Sequence, residues 1–207
     1  MASSGATPIG YDDCGSGPAT VLLHPFPFSR TIWAGMADAL AAGRRVITVD
    51  ARGFGELPPA GPFAIADLAD DLAALLDRLD VARATVLGMS MGGYAALAFA
   101  ARHRDRLSAL VLADTRAASL RAGIEAMRDR PDRSGELGAI ACPTLVVCGV
   151  DDQVTPAAEM KQIAAAIAGA RFVPIADAGH LSHIEAPGAF MRAVTSFLDA
   201  ATEARPS

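Results

Sequence analysis

Cysteine is scarce in this chain, and its distribution excludes two classes of protein. The 207 residues include only Cys14, Cys142 and Cys148, an odd number without a CxxC pair. A disulfide framework needs paired cysteines, and a structural zinc site needs closely spaced ones. We therefore expect no disulfide framework and no metal, and we expect the protein to reside in the reducing cytoplasm.

A strong charge of one sign and a long apolar run are also missing. The chain has 23 acidic and 18 basic residues, a net charge of -5, which gives no basic face for nucleic acid and no polybasic membrane anchor. No apolar stretch reaches the roughly 18 residues of a membrane helix, and residues 1–10 lack the features of a secretory signal. We expect neither a nucleic-acid partner nor a membrane partner.

Hydrophobic residues make up 52% of the chain, enough for the core of one domain over residues 1–207. Short aliphatic runs alternate with amphipathic stretches, as in βαβ units around a mostly parallel sheet. The predicted strands are Thr20–Leu23, Arg45–Asp50, Thr85–Met89, Leu107–Ala113, Thr144–Gly149 and Phe172–Ile175, with a weaker edge strand near Ile9–Tyr11. The predicted helices are Ile32–Ala42, Ala66–Leu79, Gly92–Arg102, Ala157–Ala168 and Pro187–Ala200. The fold class is therefore α/β, a doubly wound sheet of about six to seven strands with helices on both faces.

A GxSxG pattern lies between a predicted strand and a predicted helix. It places Ser90 between Gly88 and Gly92, in the context in which this pattern forms a nucleophile elbow. Ser90 would occupy a strained turn, and side chains at the two glycine positions would collide with neighbouring backbone. The alternative is a flexible strand-to-helix turn with a surface serine, but the flanking strand and helix favour a nucleophile.

A serine nucleophile needs a base, and the chain offers four histidines. His180 follows the last predicted strand, where a loop can carry it toward Ser90, and is the predicted base. His183 is a rival because it is only three residues away. His103 lies at a charged helix end and is interpreted as a capping residue, and His24 is interpreted as a structural hydrogen-bonding residue.

The base in turn needs a carboxylate that orients it. Asp152 follows the strand Thr144–Gly149, and the chain order Ser, Asp, His is the order that this kind of sheet imposes. Asp151 is a close alternative, although an aspartate before Thr-Pro is also common in turns. Asp114, after the preceding strand, is a third candidate.

Acyl transfer also requires donors for the developing oxyanion. We expect them to be the backbone N–H groups of Met91, directly after the nucleophile, and Phe26, in the loop after the first strand. Pro25 and Pro27 restrict the shape of that loop.

Together these motifs resemble the α/β-hydrolase superfamily over nearly the whole chain. The resemblance rests on the segments Leu22–Phe26, Asp50–Gly55, Gly88–Gly93, Asp152–Pro156 and Gly179–His180. Within the superfamily, Asp50–Gly53 and His180–Glu185 are most similar to the oxoadipate enol-lactonase and small carboxylesterase branch.

Two features depart from the family pattern. Pro25 stands where the family usually has glycine, which removes one backbone donor but leaves the N–H of Phe26. Members also usually carry a helical cap domain after the strand Leu107–Ala113, whereas here only the short segment 114–142 remains, with one helical candidate at Leu120–Arg130. We therefore expect a shallow site. Candidates for its apolar rim are Phe26, Trp33, Phe54, Met89, Met91 and Met127, each of which is also consistent with a core position.

The sequence thus predicts a cofactor-free carboxylesterase that acts on a small-molecule ester through Ser90, His180 and Asp152. Enol-lactonase, thioesterase or perhydrolase chemistry on the same residues remains an alternative, as does a non-catalytic protein of this fold that binds a small ligand. The missing cap also suggests an exposed apolar patch covered by a second subunit in a homodimer.

Overall fold

A seven-stranded sheet forms the centre of the structure, a computed structural model that describes residues 9–56, 63–117 and 131–204. The strands are β1 (Tyr11–Gly15), β2 (Ala19–Leu23), β3 (Arg45–Val49), β4 (Ala84–Met89), β5 (Leu107–Ala113), β6 (Thr144–Gly149) and β7 (Arg171–Ile175). Their order is β1-β3-β2-β4-β5-β6-β7. Strands β2 to β7 pair in parallel, and β1 pairs antiparallel with β3 at the edge.

The central strands are continuous apolar runs because both faces of the sheet are covered. All residues of β4 and β6 are buried, as expected for a parallel sheet between two helical layers. Successive side chains point to opposite faces. In β5, for example, Leu110 and Leu112 belong to one core cluster and Val111 to the other.

Six α-helices lie within the described residues: α1 (Ala34–Leu40), α2 (Ile65–Arg78), α3 (Met91–Arg102), α4 (Ala157–Ala166), α5 (Ser182–Glu185) and α6 (Pro187–Glu203). One face of the sheet is covered by α2, α3 and α4, whose buried side chains include Leu72, Phe99 and Ile163. The other face is covered by α1 and α6, through residues such as Leu40 and Phe190. The doubly wound α/β class predicted from the sequence is confirmed.

The edge strand differs from the prediction. It was expected near Ile9–Tyr11, but it spans Tyr11–Gly15, and all five of its residues are exposed. Such a strand has no apolar face, so hydrophobic alternation cannot reveal its bounds. Ile9 instead packs into the core next to the start of the strand.

The helical elements contain three further differences. The helix predicted from Ile32 begins as a 3-10 helix, Arg30–Trp33, before α1. The short helix α5 was not predicted, and neither was the 3-10 helix Ser134–Ala139 between β5 and β6. The helical candidate Leu120–Arg130 lies outside the described residues.

The connection from β5 to β6 comprises only residues 114–143, which is too short for a cap domain of several helices. The carboxyl ends of β2, β4, β5, β6 and β7 all meet at one edge of the sheet because these strands are parallel. The loops that follow these strands carry the candidate functional residues.

Candidate active site

Ser90 occupies a sharp turn between β4 and α3. Its backbone has φ 50° and ψ -112°, a conformation that costs a residue with a side chain about 1–3 kcal/mol. The turn is held on both sides, because the Ser90 N–H donates to the Ala113 carbonyl at 3.0 Å and the Thr115 hydroxyl donates to the Ser90 carbonyl at 2.9 Å. Ser90 is thus fixed above the end of the sheet, as the elbow pattern predicts.

The two glycines of the pattern are required by close backbone contacts. A Cβ at Gly88 would lie 2.2 Å from the Gly92 carbonyl oxygen, and a Cβ at Gly92 would lie 2.2 Å from the Leu23 carbonyl oxygen. No side chain fits at such distances. The steric role predicted for both glycines is confirmed, and Gly92 also brings the start of α3 against the end of β2.

His180 contacts both other members of the predicted group. Its Nε2 lies 2.9 Å from the Ser90 Oγ, and its Nδ1 lies 2.9 Å from the Asp152 Oδ2. With Nδ1 protonated toward the carboxylate, Nε2 is left as an acceptor for the serine hydroxyl proton. The three residues, separated by up to 90 positions in the chain, therefore form one hydrogen-bonded chain.

Asp152 is buried and is held in a turn of its own loop. Its Oδ1 accepts the N–H of Val154 at 2.7 Å and the N–H of Thr155 at 2.8 Å, and its Oδ2 accepts the Thr155 hydroxyl. Burial raises the pKa of Asp152, but the hydrogen bonds from His180 and Thr155 outweigh it and lower that pKa to about 2. The carboxylate is therefore ionised at neutral pH.

The other two acid candidates have different surroundings. The side chain of Asp151 is exposed, while its backbone N–H donates to the Ala178 carbonyl at 2.9 Å. Asp114 is fully buried and binds Gly149 and Ser182. Of the three carboxylates, it is Asp152 that hydrogen-bonds to the His180 ring.

His24 holds two loops together beside the expected oxyanion donors. Its Nε2 accepts the Ala51 N–H at 3.0 Å, which leaves Nδ1 as the donor to the Pro25 carbonyl at 3.0 Å. Burial lowers the pKa of His24 and keeps the ring neutral. This geometry matches the structural role expected for His24.

The expected oxyanion donors lie where α3 meets the loop after β2. Met91 is the first residue of α3, so its N–H has no carbonyl acceptor within the helix. Phe26 follows His24 and Pro25 in a turn closed by the Phe28 N–H on the Pro25 carbonyl, at 3.0 Å. Because a Cβ at Gly92 would also come within 2.9 Å of the His24 carbonyl oxygen, the two segments are in direct contact.

The remaining histidines are not brought to Ser90. His183 packs between Trp33 and Phe190, with ring centroids 4.6 and 6.0 Å away. His103 ends α3 and bonds the Asp70 carboxylate at 2.8 Å, in keeping with the helix-end role expected from the sequence.

Sequence reasoning missed two side chains that hold the site. The Thr155 hydroxyl donates to Asp152 and lies 3.3 Å from the His180 Nδ1. The Glu185 carboxylate accepts the Gly179 N–H at 2.7 Å and the Leu181 N–H at 2.9 Å, so it bonds the backbone on both sides of His180. The Asp-x-x-Thr spacing is a turn signal that could have suggested Thr155, whereas Glu185 was noted only as part of a motif.

Of the side chains expected at the apolar rim of the site, some are exposed and others are buried. Exposed hydrophobic residues occur in the loops after β2 and β6 and in the helix α5: Phe26, Phe28, Val150, Val154 and Ile184. Phe26 is 39% exposed and packs edge-on against Phe54, with 5.9 Å between ring centroids. The rim candidates Trp33, Met89 and Met91 are buried core residues instead. Met127 lies outside the described residues.

Within residues 9–56, 63–117 and 131–204, no group of three or more His, Cys, Asp or Glu side chains is placed to hold a metal ion. In the same part of the chain, no helix has both the length and the apolar character needed to span a membrane.

Comparison with known proteins shows the family and the fold. A family model described as alpha/beta hydrolase fold matches residues 18–131 and 125–187. The structure resembles a thermophilic esterase from Thermogutta terrifontis, with TM-score 0.88, 31% identity and 93% of each chain covered. It also resembles the enol-lactonase from Burkholderia xenovorans LB400, with TM-score 0.85, 29% identity, and 92% of this chain and 96% of the other covered.

A sequence relative is longer than this chain. The provisionally named non-heme bromoperoxidase BpoC of Mycobacterium tuberculosis is 27% identical over 253 positions, covering 91% of this chain and 97% of the relative. Because this chain has only 207 residues, the relative contains residues that it lacks. The family model likewise matches in two segments, and these meet in the connection between β5 and β6.

Proposed function

Because this chain belongs to the α/β-hydrolase family, we propose that it is a carboxylesterase that hydrolyses small carboxylic esters through Ser90, His180 and Asp152. The observation that carries the proposal is the hydrogen-bonded chain from the Ser90 hydroxyl through the His180 ring to the Asp152 carboxylate, with 2.9 Å at each step. A serine hydroxyl is a weak nucleophile unless an oriented base removes its proton.

In the first half of the reaction, the Ser90 Oγ forms a bond to the ester carbonyl carbon while its proton moves to the His180 Nε2. The carbonyl π electrons move to the oxygen, and the Met91 and Phe26 N–H groups donate to that oxyanion. When the carbonyl re-forms, the bond to the alkoxy oxygen breaks. The proton on Nε2 passes to the departing alcohol, and an acyl-enzyme remains.

In the second half, His180 takes a proton from water, and the hydroxyl oxygen attacks the acyl carbon. The collapse of this second intermediate breaks the bond to the Ser90 Oγ, which regains the proton from Nε2 and releases the carboxylic acid. Asp152 stays ionised throughout and stabilises the imidazolium in each half, consistent with its lowered pKa of about 2.

The surroundings of Ser90 favour small, weakly polar esters. Exposed apolar side chains occur in the loop of the expected donor Phe26 and in the loop of Asp152, where Val154 lies, and residues 114–143 are too few to add a cap over the site. A site without a cap excludes water poorly and makes fewer contacts with a long substrate. We therefore expect broad acceptance of small acyl groups rather than strict selectivity.

Lactone hydrolysis on the same residues is a second candidate, because one of the similar structures is an enol-lactonase at TM-score 0.85. A lactone is an internal ester, so the same bonds form and break, but the leaving alcohol stays attached to the acyl group. A panel of ester, lactone, thioester and peroxide assays on the purified protein separates these reactions. The ratio of kcat/KM values identifies the preferred one.

The test is p-nitrophenyl acetate and butyrate hydrolysis by wild type, Ser90→Ala and the matched surface variant Ser134→Ala. We expect Ser90→Ala to lose activity by a factor of about 10⁴ or more and Ser134→Ala to retain it. A fluorophosphonate should label wild type and not Ser90→Ala. Equal turnover by wild type and Ser90→Ala would refute the proposal, and a protein that neither hydrolyses nor labels would instead be a ligand-binding member of the family.

Location and assembly are further proposals. We propose a cytoplasmic location because Cys14 is a free, exposed thiol, which suits a reducing compartment. We also propose a homodimer that covers the apolar side chains around the site. Light scattering of the purified protein tests the second proposal, and a monomeric mass at micromolar concentration would contradict it.

A further inference from the structure

Asp114 is a buried carboxylate at the end of β5 that the proposed mechanism does not use. It has no exposed surface, and its backbone has a φ of 42°, in the left-handed region that favours glycine. Both features are unfavourable for an aspartate unless the surrounding structure holds it in place. The position therefore calls for a role that a smaller or apolar residue would not fill.

The two oxygens of Asp114 bind two different loops. Oδ1 accepts the Gly149 N–H at 2.8 Å, and Oδ2 accepts the Ser182 hydroxyl at 2.5 Å. Gly149 ends β6, three residues before Asp152, and Ser182 begins α5, two residues after His180. One carboxylate therefore joins the start of the loop that carries the acid to the end of the loop that carries the base.

These two loops also contact each other directly. A Cβ at Gly149 would lie 2.2 Å from the carbonyl oxygens of Ala178 and Gly179, so the backbones pass as closely as glycine allows. The Asp151 N–H donates to the Ala178 carbonyl at 2.9 Å. Asp114, directly after β5, hydrogen-bonds to both segments and so fixes them relative to β5.

We propose that Asp114 is a positioning residue, whose bonds to Gly149 and Ser182 set the separation of Asp152 and His180. This inference rests on the proposed function of the site. An error of about 1 Å in the placement of a reacting group can cost about 100-fold in rate. The two hydrogen bonds of Asp114, which we call the tether, should therefore influence kcat far more than KM.

The charge of Asp114 adds an effect on pH dependence. Burial and the neighbouring Asp152 raise its pKa, while its hydrogen bonds and His180 lower it, and the balance is a pKa of about 7. Among residues 9–56, 63–117 and 131–204, the titratable groups that interact with it are Asp152, His180 and Cys148. Ionisation of Asp114 places a negative charge close to Asp152 and His180, so kcat should depend on the protonation state of Asp114 at a pH near 7.

Three variants separate the tether from the charge. Asp114→Asn keeps an acceptor for Gly149 and a donor for Ser182 but cannot ionise. Ser182→Ala removes one arm of the tether and leaves the carboxyl, and Asp114→Ala removes both arms. Circular dichroism and the melting temperature establish which variants fold.

The expected results, measured with p-nitrophenyl acetate, differ between the variants. Ser182→Ala and folded Asp114→Ala should lose about 10- to 100-fold in kcat, with KM changed by less than about threefold. Asp114→Asn should lose less in kcat, but its pH–kcat profile should differ from that of wild type because Asp114 no longer contributes an ionisation. Ser134→Ala should match wild type in both measurements.

The inference is overturned if Ser182→Ala and Asp114→Asn both fold and keep the wild-type kcat and the wild-type pH profile. Should Asp114→Ala fail to fold, these two variants still decide the matter. The proposed function is tested separately: an active Ser90→Ala variant refutes the esterase mechanism itself. An inactive Ser90→Ala variant alongside unaffected Ser182→Ala and Asp114→Asn variants refutes only the role of Asp114.

Discussion

His183 lies against Trp33, with 4.6 Å between their ring centroids and 43° between their planes. Neither nitrogen of the His183 ring has a hydrogen-bond partner among the described residues. Phe190 closes the other side of the ring. Burial in these surroundings lowers the pKa of His183 to about 4, against a smaller opposing effect of Glu185. The histidine thus behaves as a neutral aromatic residue of the core.

We expect His183→Phe to make the protein more resistant to acid. The pKa of His183 in the folded protein is below its ordinary value of 6.5, so its contribution to stability is present above pH 6.5 and is lost as the pH falls toward 4. Phenylalanine keeps the ring contacts and cannot bind a proton. Relative to wild type, the variant should gain about 2–4 °C in melting temperature between pH 6.5 and 4.5. If the melting temperatures of the two proteins change equally with pH across this range, His183 is not the neutral buried group described above.

Asp152→Asn and Asp151→Asn form a matched pair at adjacent positions. Asp152→Asn replaces the carboxylate oxygen at the His180 Nδ1 by an amide, which neither carries the charge nor holds the ring in the productive tautomer, and kcat should fall by about 10⁴-fold, as in other Ser-His-Asp sites. Asp151 is exposed, so its variant should stay within about threefold of wild type. Steady-state kinetics on p-nitrophenyl butyrate measure both, and a larger loss at Asp151 would reverse the choice of acid.

Glu185→Ala should lower kcat by about 10-fold and leave KM nearly unchanged. The carboxylate bonds the N–H groups of Gly179 and Leu181, so its loss frees the backbone on both sides of His180. Glu203→Ala, at the exposed end of α6, is the control and should leave kcat and KM unchanged. Slower labelling by a fluorophosphonate would show that the loss lies in activation of the serine. Unchanged kcat in a folded Glu185 variant would exclude the positioning role.

Gly92→Ala and Gly35→Ala should have opposite effects on stability. The new Cβ at position 92 would lie 2.2 Å from the Leu23 carbonyl oxygen, whereas no atom lies within 4 Å of a Cβ at position 35 in α1. We expect Gly92→Ala to lose about 3 kcal/mol and most activity, and Gly35→Ala to gain about 0.5–1 kcal/mol. Urea unfolding measures both changes. A fully stable Gly92→Ala protein would mean that β2 and α3 are not as close as described.

The sequence predicts those features that are encoded by patterns among neighbouring residues. The buried strands were predictable because β4 and β6 are uninterrupted apolar runs, while β1 was misplaced because every residue in it faces solvent. The GxSxG pattern located Ser90 because its steric demands fall on residues that are neighbours in sequence. The bonds of Asp114 to Gly149 and Ser182 join positions far apart in the chain, and no local pattern encodes such contacts.

The two outer strands of the sheet limit how copies of this chain can associate. The edge strand β1 carries Asp12 and Asp13, and the opposite edge strand β7 carries Arg171 and Pro174. Charges and proline on an edge oppose the addition of a further strand. Growth into a continuous intermolecular sheet is therefore disfavoured in both directions, which protects the protein against fibrous aggregation and directs any pairing of subunits toward the loops.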